Sequence, residues 1–216
     1  MITRFATLCL SCMFLISCTP IGVLTTVGTT AGTYAMEERG LEGASSDLGL
    51  KADVVGAWAS EKLSYASDLT VIVYNSKAMV LGTVETETER AKAIEIVWQV
   101  DGIKQVYNEI TLKENTSIED FTHDTLINTR LFAALTLDGQ IMDINYKYDA
   151  EGGTVYAIGM AQSHGELRRF IAHAKSVPYV RKVVSHVEVK PRKSMFRPRE
   201  DKPEDKAKTD STRSTT

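Results

Sequence analysis

The chain has 216 residues, with 25 Lys and Arg against 28 Asp and Glu, a formal net charge of -3 and 43% hydrophobic content. That balance excludes a strongly basic nucleic-acid binder, and the length and apolar content suffice for one medium core or two small ones. All cysteines, Cys9, Cys12 and Cys18, sit near the N-terminus, so a chain cut before Cys18 has no partner for a disulfide within one molecule.

Arg4 is followed by an uncharged apolar run from Phe5 to Ile16. It has the length of a signal-peptide core and is too short to cross a bilayer as a stable helix. Leu15-Ile16-Ser17-Cys18 closes it and resembles the bacterial lipobox, with an aliphatic residue three before the cysteine and a small residue just before it. Residues 1–17 are therefore expected to be a lipoprotein signal peptide. Cys18 is expected to carry acyl chains, palmitate among them, that hold the protein on a membrane. Residues 18–45, rich in Thr and Gly, read as a tether. No other apolar run approaches spanning length.

The next segments repeat. A shift of 77 residues lays Asp47 on Asp124, Leu50 on Ile127, Val54 on Leu131 and Trp58 on Leu135. The same shift lays Gly82 on Gly159, Glu89 on Glu166, Val106 on Val183 and Ile110 on Val187. One stretch fits better at a shift of 74, which lays Val71-Ile-Val-Tyr-Asn75 on Asn145-Tyr-Lys-Tyr-Asp149 and implies a turn three residues longer in the second copy.

Each copy reads as helix, strand, strand, helix, strand. The stripes Leu50/Val54/Trp58 and Ile127/Leu131/Leu135 recur every four residues on one helical face. Asp47 and Asp124 precede them at the spacing of N-caps. Asn75-Ser-Lys77 and Asp149-Ala-Glu-Gly-Gly153 read as hairpin turns. Thr86-Glu-Thr-Glu89 and Ser163-His-Gly-Glu166 fit capping boxes. The last strands alternate, Val106/Asn108/Ile110/Leu112 and Val183/Ser185/Val187/Val189, as if one face were buried and the other wet. The expected fold class is α+β: two tandem domains, 46–113 and 117–190, each with two helices on one face of a three-stranded sheet. The charged, Pro- and Ser/Thr-rich segment 191–216 has the composition of a disordered tail.

The pattern resembles BON domains, on the strength of the Asp with its aliphatic stripe, the strand-end glycines Gly82 and Gly159, and Val100-Asp-Gly-Ile-Lys-Gln-Val-Tyr-Asn-Glu-Ile110. Paired copies after a lipobox are similar to dual-BON outer-membrane lipoproteins. That resemblance implies a non-enzymatic protein on the periplasmic face of the outer membrane. It would support envelope integrity and bind anionic phospholipid through the first helix of the second domain, with no cofactor. The matching surface is His123–Phe132, with Leu126, Arg130 and Phe132 outward; the family has an aromatic residue where this chain has Leu126.

Other residues carry less. Gly82 and Gly159 read as structural glycines. His123, His164, His173 and His186 lack metal-ligand spacing and read as surface residues. No nucleophile motif, phosphate loop or Cys-x-x-Cys remains after Cys18, so catalysis has no support. Arg168, Arg169, Lys175, Arg181 and Lys182 form a candidate basic patch on a solvated face. The alternative function is an envelope adaptor that recruits another protein, touching the membrane only through its lipid. Thr19 after the cysteine points to outer-membrane delivery.

Overall fold

The computed structural model describes Glu37, residues 40–113 and residues 118–191. Cys18, the expected signal peptide, most of the expected tether and the tail beyond Pro191 lie outside the described residues.

The first half runs α1 (Gly40–Glu61), α2 (Leu63–Asp68), β1 (Leu69–Tyr74), β2 (Lys77–Val84), α3 (Glu87–Gln99) and β3 (Gln105–Leu112). The second runs α4 (Ile118–Thr136), a short 3₁₀ turn (Asp143–Asn145), β4 (Tyr146–Glu151), β5 (Thr154–Ala161), α5 (His164–Ser176) and β6 (Lys182–Val189). In each half the middle strand pairs antiparallel with the first and parallel with the third, which gives two three-stranded sheets of identical order. The fold is therefore α+β, duplicated. Helix α1 begins six residues before the expected boundary at 46, and Ala44 in that extra turn is buried. The short helix α2 was not legible in the sequence, and the second half has only the 3₁₀ turn near the matching place.

Both helical stripes are core. Leu50, Val54 and Trp58 pack with Val71, Val80, Ala93 and Val97, while Ile127, Leu131 and Leu135 pack with Val155, Ala157, Phe170 and Ala174. The Trp58 indole N–H donates to the Ala93 carbonyl at 3.0 Å, so burying its polar edge leaves no donor unmet. The capping boxes form. Thr86 and Ser163 hydroxyls accept from the Glu89 and Glu166 amides at 3.2 and 3.1 Å, and each glutamate reaches back to the amide before the cap, Glu85 at 3.1 Å and Gln162 at 2.7 Å.

Asp47 and Asp124 are not caps, because α1 and α4 start a full turn or more before them. Each carboxylate instead clamps a hairpin. Asp47 accepts from the amides of Asn75 and Ser76 at 2.6 and 2.8 Å, and Asp124 from those of Gly152 and Gly153, both at 2.7 Å. All four turn residues have positive φ, between 53° and 73°, as a two-residue type I′ turn requires. This also overturns the shift of 74. Leu69 pairs with Gly82 and Tyr146 with Gly159, so the repeat keeps its step of 77 through β1 and β4, and both turns are two residues long. Asp149, Ala150 and Glu151 belong to strand β4 rather than to a turn.

The expectation of a wet sheet face is also corrected. The faces turned away from the helices pack on each other: Met79 and Leu81 of β2 meet Tyr156 and Ile158 of β5, with Tyr74 beside them and Ile72, Tyr107, Met160 and Val184 around. The middle strands show why, since Ala78-Met-Val-Leu81 and Val155-Tyr-Ala-Ile158 are apolar on both sides. The molecule is thus a four-layer stack of helices, sheet, sheet and helices. At the seam His186 Nε2 lies 2.7 Å from Glu109 Oε1, its ring stacked 4.0 Å from that of Tyr107, and Lys77 pairs with Glu188.

Candidate functional site

Helix α4 is held from beneath by Ile127, Leu131 and Leu135, and near its start by the Asp124 clamp, so its remaining directions are fixed. At 100° per residue, Leu126, Arg130 and Leu137 fall on one flank while Phe132 falls about 200° from Arg130. Leu126 is half-buried, Arg130 is exposed, and Leu137, whose amide continues the last turn by donating to Ala133 at 3.2 Å, is 85% exposed. The structure therefore brings Leu126 and Arg130 together but not Phe132. That ring is exposed on the opposite flank, beside a groove lined by Thr70, Ile72 and Tyr148.

The sequence reading missed two residues on the first flank. Leu137 follows Leu126, Arg130 and Ala133 at steps of four, three and four, a signal that was present. Tyr179 comes from the α5–β6 connection. Its ring is exposed and stacks on His123 at 4.0 Å, nearly parallel, and His123 lies one turn before Leu126 on that flank. Tyr179 has φ of 73°, a conformation that costs a non-glycine residue on the order of 1 kcal/mol and that sequence spacing does not reveal.

Behind Leu137, Asp138 accepts from Arg169 Nε and lies against His173 Nε2, both at 2.6 Å, and accepts from the Gln140 amide at 3.0 Å. Those contacts, His173 first, hold the Asp138 carboxyl at about 2, well below the usual aspartate range. The latch ties the end of α4 to α5. It also breaks up the expected basic patch, since Arg169 is ion-paired to Asp138 and Arg181 donates to the Gly152 carbonyl at 2.7 Å. Three of the histidines are engaged rather than bare surface groups: His123 with Tyr179, His173 with Asp138, His186 with Glu109.

The strand glycines sit where two backbones touch. A Cβ on Gly82 would overlap the Asp68 carbonyl oxygen, and one on Gly159 the Asn145 carbonyl oxygen, with φ of 117° and 153°. Under β4, burial pushes the Tyr148 hydroxyl up to about 12, and burial with Asp124 and Asp149 nearby raises Glu151. Among the described residues there is no group of three or more His, Cys, Asp or Glu placed to hold a metal, and no helix long and apolar enough to cross a membrane.

Comparison with known proteins agrees with the duplication. The BON domain profile matches residues 46–114 and 123–191. An uncharacterized protein in the gshII 5' region of Anaplasma centrale is 34% identical over 125 residues, covering 57% of this chain and 83% of that one. The outer membrane lipoprotein DolP of Haemophilus influenzae is 25% identical over 117 residues, 54% of this chain and 60% of its own length. A 21 kDa hemolysin of Actinobacillus pleuropneumoniae is 24% identical over 166 residues, 74% of this chain and 77% of that one. Among solved structures, CdsD, a structural protein of the type III secretion system of Chlamydia trachomatis, aligns over 66% of this chain and 93% of its own at 11% identity, with a TM-score of 0.29. With the profile matching both halves of the described fold, the chain belongs to the BON-domain family, as a tandem pair.

Proposed function

We propose that this is a non-enzymatic, lipid-anchored protein of the outer membrane's periplasmic face, which supports envelope integrity and whose second BON domain binds anionic phospholipid. Cys18 is the proposed point of lipidation. The observation that carries the lipid reading is the flank of α4, where Leu126, Leu137 and the cation of Arg130 lie together and His123 brings the exposed Tyr179 ring alongside. An aliphatic pair enters the acyl region, an aromatic ring suits the headgroup boundary, and a guanidinium pairs with phosphate. Tyr179 supplies from a neighbouring loop the aromatic group that Leu126 lacks. The likeness to a protein named outer membrane lipoprotein DolP supports the location.

Liposome co-sedimentation of a Cys18→Ser form tests the reading. Each basic residue near an anionic surface contributes about 1 kcal/mol, so Arg130→Glu is expected to weaken binding to phosphatidylglycerol vesicles by about tenfold or more. Leu126→Asp and Tyr179→Ser are expected to weaken it further. Equal binding to zwitterionic and anionic vesicles, unchanged by Arg130→Glu, would reject it.

A second reading, an adaptor that binds another envelope protein, is favoured by Trp98 on α3, 53% exposed on the first domain. Tryptophan is a frequent anchor of protein interfaces. In vivo crosslinking from position 98 separates the two, because an adaptor must yield a stoichiometric protein partner.

A further inference from the structure

The third strands of the two domains, β3 and β6, are both sheet edges, and they are finished differently. On β3 the outward backbone groups of Ile110 are both taken. The Asn108 side-chain oxygen accepts from its amide at 3.2 Å, and Arg90 Nη1 of α3 donates to its carbonyl at 3.4 Å. The repeat step of 77 carries Ile110 to Val187, Asn108 to Ser185 and Arg90 to Leu167. On β6 the Ser185 hydroxyl accepts from the Val187 amide only at 3.4 Å, and Leu167 has no N–H to offer the carbonyl. A guarded edge in the first domain thus has an open counterpart in the second, and an open edge is a template for a further strand.

The residues of that edge complement themselves. Lys190, just beyond β6, donates its amide to Ala161 at 2.8 Å, so the even-numbered amides turn to β5 while Val183, Ser185 and Val187 turn their N–H and C=O groups outward. A second β6, antiparallel and centred on Ser185, matches outward group to outward group, Val183 against Val187 and Ser185 against Ser185. The same register sets Lys182 against Glu188 at both ends, opposite charges with Cβ atoms about 5 Å apart. Moving the centre to His186 would instead set Lys182 against Lys190, like charges that oppose pairing. Lys182 is exposed, and the Glu188 side chain is 48% exposed even while paired with Lys77, so each has a side open to another copy. We propose that β6 is the docking edge for a second copy of this chain, the two strands pairing antiparallel about Ser185 into one continuous sheet with a two-fold axis. Leu167 stands where Arg90 guards β3, so the helical side of the joint is apolar. None of these residues belongs to the α4 flank, so self-pairing stands whether or not that flank meets lipid.

The test is zero-length carbodiimide crosslinking of the full chain in membranes of the expressing cells. Lys182 and Glu188 lie six residues apart on one strand, about 20 Å, so in the folded chain a direct amide between them can only join two copies. A band at twice the monomer mass carrying the Lys182–Glu188 link is expected, beside the Lys77–Glu188 link that reports an intact seam within one copy. Ser185→Pro removes only an outward N–H, and Leu167→Arg supplies the guard of the first domain. Each is expected to lower the Lys182–Glu188 link at least fivefold while the Lys77–Glu188 link persists. Absence of the Lys182–Glu188 link in the unsubstituted chain overturns the inference. So does a link from Lys182 to the tail or to another protein in its place, or a dimer band indifferent to both substitutions.

Discussion

Glu109 and His186 hold the same place in the two repeats, seventy-seven residues apart, and they touch each other across the seam at 2.7 Å. A contact between equivalent positions marks a local two-fold axis, the arrangement of an isologous dimer built within one chain. A double-mutant cycle on Glu109→Gln and His186→Leu is therefore expected to give a coupling energy of about 1 kcal/mol in chemical denaturation. Strict additivity would show that the apolar seam alone joins the halves.

The clamps at Asp47 and Asp124 each hold two turn amides whose residues have positive φ. Removing a charged acceptor from two part-buried turn amides is expected to cost about 2 kcal/mol in Asp47→Ala or Asp124→Ala. Asn75→Gly beside them is expected to be neutral or mildly stabilising, because glycine reaches that φ without strain. Urea denaturation midpoints read both effects.

Glycine tolerance should divide sharply by position. Gly82→Ala and Gly159→Ala drive a methyl group into a carbonyl oxygen at a φ that L-residues rarely adopt, and each is expected to cost about 3 kcal/mol or to prevent folding. Gly56→Ala, in the exposed middle of α1 with open space around it, is expected to raise stability by about 1 kcal/mol. Thermal melting of the three variants makes the comparison.

The Asp138 latch makes a signed statement about acid. Its folded-state pKa, about 2, lies below the value near 3.9 of a free aspartate, so its stabilisation is complete above that free value and fades as pH falls toward about 2. Asp138→Asn is expected to lower the melting temperature at pH 6 and to lose most of that deficit by pH 2. Melting curves across that range would show an unchanged deficit if the latch were silent.

Much of this was readable from the chain. The stripes through Trp58 and Leu135, the capping boxes and the step of 77 follow from periodicity, which local burial enforces. The clamp was not, because an aspartate two turns into a helix looks the same in sequence whether it caps the helix or reaches a hairpin 28 residues on. The seam was half visible. Met79 and Leu81 broke the alternation that a one-sided sheet would keep, yet β3 and β6 place Glu109 and His186 on the same face and read as wet. At the candidate lipid flank, Leu126 and Arg130 came from resemblance and helical geometry. Tyr179 could not be found that way, because its position depends on a backbone conformation and on a stack with a residue 56 positions away.

Because each sheet hides its bare side against the other, the described residues leave no broad β surface to meet anything else. Both outer walls of the described body are helical, so on these walls a bilayer or a protein arriving broadside meets helices first. Changes that tune recognition can then accumulate on those walls without disturbing the paired sheets at the centre.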